Sequence, residues 1–151
     1  MKKQIILARP NLFIVNEMKK LMNDCRFDPF RLTKKSELDT LNSENVSGFV
    51  ISTSLHSPIE MGYIEMIEKL MDKHPDKPIL LASMISAENT KKSINLNFEK
   101  NNLDCEVLSI SDSNEGKNLD KKRQLLIIEK SDITNDDLYP TTKATVERFF
   151  G

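Results

Sequence analysis

Tryptophan is absent from this chain of 151 residues, glycine occurs only four times and cysteine twice, and the formal net charge is only -1. So few glycines argue against a backbone phosphate cradle, and neither a GxGxxG nor a GxxxxGK[ST] run occurs. Cys25 and Cys105 stand apart and neither belongs to a CxxC, which removes support for a zinc site or a disulfide framework. Both are expected to be buried thiols. Near-neutrality gives no long-range attraction to polyanions, so neither nucleic acid nor an anionic membrane surface is an expected partner. The longest apolar runs are about five residues, against the roughly 20 that span a bilayer. "MKKQIILARP" has too short an apolar stretch for a secretory signal and no small-residue cleavage site, so a cytoplasmic protein is expected. A local absence is more telling: no Asp or Glu occurs between Glu44 and Glu60, a window that contains the run "NVSGFVISTSL".

What is present reads as one globular domain, with 30% charged and 38% hydrophobic residues. "QIILA" (4–8) is a short strand, closed by Pro10 and Asn11 before Ile14, Met18, Leu21, Met22 and Cys25 recur at helical spacing. "FDPFRLT" (27–33) is a weaker strand, suited to an edge because Pro29 donates no hydrogen bond. Ser36 is placed to cap a short helix through Leu38 and Leu41, after which "VSGFVIS" is strongly strand-forming. Ser57, Pro58 and Glu60 fit N-cap, N1 and N3 of a helix whose stripe is Met61, Ile64, Ile67, Leu70 and Met71, ended by His74-Pro75. "KPILLAS" (77–83) is apolar without alternation, as in a central parallel strand. A polar helix over 86–101, strands "CEVLSIS" (105–111) and "QLLIIEK" (124–130), a polar loop between them, and a closing helix with Pro140 early and Val146, Phe149 and Phe150 inward complete the pattern.

Strands alternating with helices through short loops predict an α/β fold: an open, doubly wound parallel sheet of five strands, or six, with helices on both faces. Ligands of such sheets collect at the carboxyl ends of the strands. That edge would gather Ala8, Arg9, Thr53, Ser54, Ser83, and either Ser111 or Lys130.

These residues resemble a known family, the receiver domain of bacterial response regulators, a flavodoxin-like fold. "GFVIST" is similar to its third strand, "PIEMGYIEMIEKL" to the Pro-x-x-x-Gly loop and third helix, and "KPILLAS" to its fourth strand. The likeness is best over residues 3–100, within a single domain spanning 1–151 that carries an atypical insertion or extra strand around 104–130. It implies phosphoryl transfer to an aspartate, with an acidic pair holding Mg²⁺ and a hydroxyl and a lysine binding the phosphoryl oxygens. Such a reaction needs a divalent cation to offset the charge that accumulates between an anionic nucleophile and an anionic donor. This chain has Ala8, Arg9 and Pro10 at the acidic-pair positions and Thr53 at the acceptor position. Ser83 fits the hydroxyl and Lys130 the lysine, but they lie about twice the family's interval apart; either 105–111 is the fifth strand and the lysine is lost, or a strand is inserted. The resemblance then implies a pseudo-receiver: no metal, no cofactor, no catalysis, and a protein partner in signalling, with a homodimer through the face that includes the last helix compatible.

Two other classes compete. Arg9, Thr53, Ser54, Ser83 and Lys130 at one edge would suit a small anion or nucleotide. His56 beside Thr53 and Ser54 would suit a hydrolase, although a loop histidine is commoner. His74 is placed to meet the last carbonyls of its helix, the carboxylates of "TNDDL" to start the closing helix, and the basic "GKNLDKKR", diluted by Asp112, Glu115 and Asp120, to form a solvated loop that covers or extends the recognition face.

Overall fold

The computed structural model describes residues 3–11, 14–41, 43–54, 57, 59, 61–83, 85–101, 105–110 and 124–151. Among them β1 (Gln4–Arg9), β2 (Asp28–Arg31), β3 (Val46–Ser52), β4 (Ile79–Ser83), β5 (Glu106–Ser109) and β6 (Gln124–Glu129) form one sheet. Its order is β2-β1-β3-β4-β6-β5, and every neighbouring pair is parallel. Helices α1 (Val15–Asp24), α2 (Tyr63–Lys73), α3 (Ala87–Asn101), α4 (Lys130–Thr134) and α5 (Tyr139–Phe150) complete the frame, with short 3-10 turns at Lys35–Thr40 and Ser43–Asn45.

The period-2 geometry of a strand divides each apolar run between two cores. Ile6, Phe49, Ile51, Leu81 and Ile127 point to the face covered by α2 and α3, where Ile67, Leu70, Ile94 and Phe98 meet them. Ile5, Leu7, Val50, Leu80 and Leu126 point to the face of α1 and α5, against Met18, Leu21, Val146 and Phe149. Gly48 permits this second packing: a Cβ there would lie 2.4 Å from the Phe150 ring and 2.7 Å from the Pro78 carbonyl.

The doubly wound sheet expected from the sequence is present, and the ambiguity over its fifth strand is resolved. β6 pairs with β4, from Ile79↔Leu125 to Ser83↔Glu129, and β5 pairs with the outer side of β6. The run 105–111 therefore supplies an extra edge strand, shorter than expected because Ile110 already turns helical. Ser111 and the polar loop of 112–123 lie outside the described residues.

Three local expectations need correction. β1 runs one residue past the expected 4–8 and includes Arg9. Lys34, not Ser36, precedes the turn Lys35–Thr40, where the Glu37 carboxylate accepts bonds from the Thr33 and Lys34 backbone and the Thr33 hydroxyl. Ser57 is not the cap of α2. That helix starts at Tyr63 after Gly62, whose carbonyl accepts the first helical bond, from Met66 at 3.0 Å. The later start has a cause: the Met61 carbonyl is drawn to Arg9, and Ile59 is buried in the core. Pro58 and Glu60 lie outside the described residues. His74 does sit at the helix end, but its backbone N–H reaches the Leu70 carbonyl while its ring packs on Phe49, and burial pushes the imidazole pKa down.

Candidate functional site: two tips on one sheet edge

The carboxyl edge of the sheet has two regions of opposite character. At the first, between β1 and β3, Arg9 is 4% exposed. Its Nε donates to the Met61 carbonyl at 2.6 Å and its Nη1 to the carbonyls of Ser52, at 2.7 Å, and Ser54. Desolvating a guanidinium costs several kcal/mol, and each charged hydrogen bond returns about 1.5–3 kcal/mol, so the three carbonyls make this burial tolerable. Burial lowers the Arg9 pKa, with the nearby Tyr63 opposing the shift. The space beside Arg9, Pro10 and Asn11 amounts to only about 10 Å³, roughly a single water.

The remaining residues expected at this edge divide between backbone and side-chain roles. Ala8 is core. Thr53 is half-buried and its N–H bonds the Ala82 carbonyl at 3.1 Å, tying the end of β3 to β4. Ser54 is half-buried, and its N–H reaches Ser52 Oγ. Ser83 is buried at the tip of β4. Its hydroxyl donates to the Ile85 carbonyl at 2.8 Å and shares a 2.6 Å bond with Thr90 Oγ1. It also accepts the Ile85 N–H, so its bonding capacity goes to fixing the start of α3. Lys130 is exposed and opens α4, one residue beyond Glu129, which faces Ser83 in register. Arg9 and Ser54 are thus brought together, while Ser83 ends β4, two strands from β1, and Lys130 follows β6, three strands from β1. His56 lies outside the described residues.

At the second tip, formed by β6, β5 and the helices beside them, a cavity of about 500 Å³ opens. Sequence reasoning missed its most informative residues. Glu129 ends β6 with its Oε1 accepting the Ala87 N–H at 2.6 Å, so a carboxylate meets the positive end of α3. Three residues on, the Asp132 carboxylate accepts the Glu129 N–H at 2.8 Å. The signal was the Glu-x-x-Asp spacing directly after an apolar strand, a capping pattern with an acidic cap. Asp132 has its pKa raised by burial, and the Glu129 charge adds to that shift. Glu88 and Lys91 of α3, Ile110 and Leu138 line the rest of the opening.

Among the described residues no group of three or more His, Cys, Asp or Glu side chains could hold a metal ion, and no helix is long and apolar enough to cross a membrane. Cys25 is buried, with its thiol pushed up to about 12 chiefly by desolvation, whereas Cys105 is half-buried rather than buried as expected.

No family profile and no curated protein matches the sequence. Solved structures do match the fold. NtrX from Brucella abortus superposes with a TM-score of 0.61 at 11% identity over 99% of this chain, which spans only 27% of NtrX. A response regulator receiver protein from Sinorhizobium medicae WSM419 gives 0.55 at 14% identity, covering 99% of this chain and 98% of that one. An adenylate cyclase from Rhodopirellula baltica gives 0.54 at 14% identity, with 99% and 90% covered. At such identities the likeness is one of fold: a doubly wound parallel sheet of the receiver or flavodoxin-like kind.

Proposed function

We propose that this chain is a receiver-like signalling module that cannot be phosphorylated and that acts by protein–protein interaction in the cytoplasm. The observation that carries the reading is Arg9. A receiver's chemistry would need carboxylates and a divalent cation at the tip of β1, and this chain puts there a guanidinium already bonded to three backbone carbonyls. A fixed positive charge repels Mg²⁺, and the residues present do not fit the ion. Thr53, just past β3, is a neutral hydroxyl whose backbone N–H is committed to β4; a neutral hydroxyl is a weak nucleophile unless a base activates it.

The anion-binding alternative draws less support. The Arg9 donors serve carbonyls, the Ser83 hydroxyl serves α3, and the space beside Arg9 is far below the volume of a phosphate group. With phosphoryl switching gone, the elements around β4, β6 and α3 hold one arrangement, suited to constitutive contact with a protein or with a second copy of the chain.

Intact-mass measurement after incubation with acetyl phosphate and Mg²⁺ tests this reading. No adduct is expected; gain of one labile phosphate would overturn it. Thermal shift with nucleotides and inorganic phosphate is expected to leave Tm unchanged, because only a ligand of the folded state raises it.

A further inference from the structure

We propose that the outer edge of β2 takes up an extended segment of a partner protein as an added strand, with an Asp or Glu of that segment against Arg31. The inference rests on the interaction-module reading above and names a surface and a partner chemistry for it.

The backbone of β2 sets the geometry. Among the described residues β2 is the outermost strand, beyond β1. The Asp28 N–H reaches the Lys3 carbonyl at 2.9 Å and the Leu32 N–H the Leu7 carbonyl at 3.1 Å, so the alternate residues 28, 30 and 32 turn their backbone polar groups to β1. Pro29, Arg31 and Thr33 therefore turn theirs outward. The Thr33 N–H is already taken by the Glu37 carboxylate, and Pro29 has no N–H. The Arg31 N–H and the carbonyls of Pro29 and Arg31 are left for a further strand, and these are the groups that strand addition uses.

The Arg31 side chain supplies the charge. Arg31 pairs with Leu7 and so shares its face of the sheet, the one covered by α1. The residue is half-buried, yet its Nε is buried without a hydrogen-bond partner. A charge kept at an edge only to repel other sheets would be solvated; here a donor is withdrawn from water with no acceptor offered, which costs free energy. The side of the guanidinium that carries Nε is one that a carboxylate can grip with two parallel bonds. On the other face Phe30 is 40% exposed, beside the position that an apolar neighbour of the carboxylate would take in an added strand. A second copy of the chain does not supply the acid. Antiparallel pairing of two β2 edges sets Arg31 opposite Pro29, Arg31 or Thr33, because Asp28 turns its backbone groups to β1.

The test is selection of binders to the full chain from a displayed library of random peptides about twelve residues long, followed by titration of the enriched peptides in ¹H–¹⁵N NMR. Enriched peptides are expected to carry a carboxylate next to an apolar residue. They should give saturable shifts at the amides of Phe30, Arg31 and Leu32 and at Arg31 Nε, and slow the exchange of the Arg31 N–H. Arg31→Gln, or replacement of the peptide carboxylate by its amide, should each weaken binding about tenfold, as for loss of a charge-assisted hydrogen bond. The peptide-side change leaves the protein untouched and so carries the test whatever the variant's stability. No enriched peptide, shifts centred elsewhere, affinity indifferent to both changes, or a dimer of the chain alone whose contact shifts fall on the same amides would each overturn the inference. The parent reading is tested separately, since it fails if acetyl phosphate modifies the chain.

Discussion

The two tips of the sheet edge use the same materials, a charged side chain at a strand end and backbone groups from the next loop, and reach opposite results. At the β1–β3 tip the charge is a cation turned on carbonyls, the nearby space shrinks to about 10 Å³ and the region is sealed. At the β6 tip the charge is a carboxylate turned on a helix N–H, and a cavity of about 500 Å³ remains beside it. Where open space remains at the carboxyl edge of this sheet depends on how the strand-end charges are satisfied as well as on topology. A guanidinium with three acceptors consumes the loop around it; a carboxylate satisfied by one helix end leaves its surroundings open.

Substitutions at each tip probe the contrast. Arg9→Met should have the largest effect, because it strands buried carbonyls that water cannot reach; a loss of about 2–4 kcal/mol is expected in urea unfolding. A loss below 0.5 kcal/mol, roughly the level of an ordinary surface change, would mean the tip is not sealed by that side chain. Next is Gly48→Ala, which forces a methyl into Phe150 and the Pro78 carbonyl and should cost about 1–3 kcal/mol. Gly62→Ala, where a Cβ meets nothing within 4 Å, serves as its near-neutral partner in the same assay. Ser83→Ala leaves Thr90 Oγ1 short of a buried partner and should cost about 1–2 kcal/mol, visible as faster amide exchange in the first turn of α3.

Glu129→Gln keeps the shape of the β6 tip but removes the charge at the start of α3. A loss of about 0.5–1 kcal/mol is expected, diminished by salt. The smallest effect belongs to Asp132→Asn. The Asp132 pKa is raised in the folded state, so its ionisation opposes folding at neutral pH and that opposition disappears as pH falls through the folded value. The variant should therefore match or exceed the parent in Tm near neutrality, with the gap closing in acid; a gap that widens on acidification would contradict the assigned direction.

The fold was largely legible because apolar runs of strand length and helical stripes follow from burial, which acts residue by residue. "QLLIIE" announces a buried strand whatever its neighbours are. What sequence could not reveal was which strand lies beside β4, since 105–111 and 124–130 are both apolar and only side-by-side packing orders them. The start of α2 was misplaced for a similar reason: Ser57, Pro58 and Glu60 form a persuasive local cap, yet a residue some fifty positions earlier takes the Met61 carbonyl. Arg9 was visible as a misfit at the end of an apolar strand, but its three acceptors are backbone atoms, which a sequence does not distinguish. Glu129 and Asp132 were passed over because each alone resembles an ordinary charge near a strand end.

The sealed tip is tested most directly by the Nε–H resonance of Arg9, recorded alone and after adding Mg²⁺ with beryllofluoride. A slowly exchanging proton that does not move on addition is the predicted result. Rapid exchange in the free protein, or displacement of that resonance together with a bound fluoride signal, would show that the guanidinium yields its place to the metal and would contradict the account.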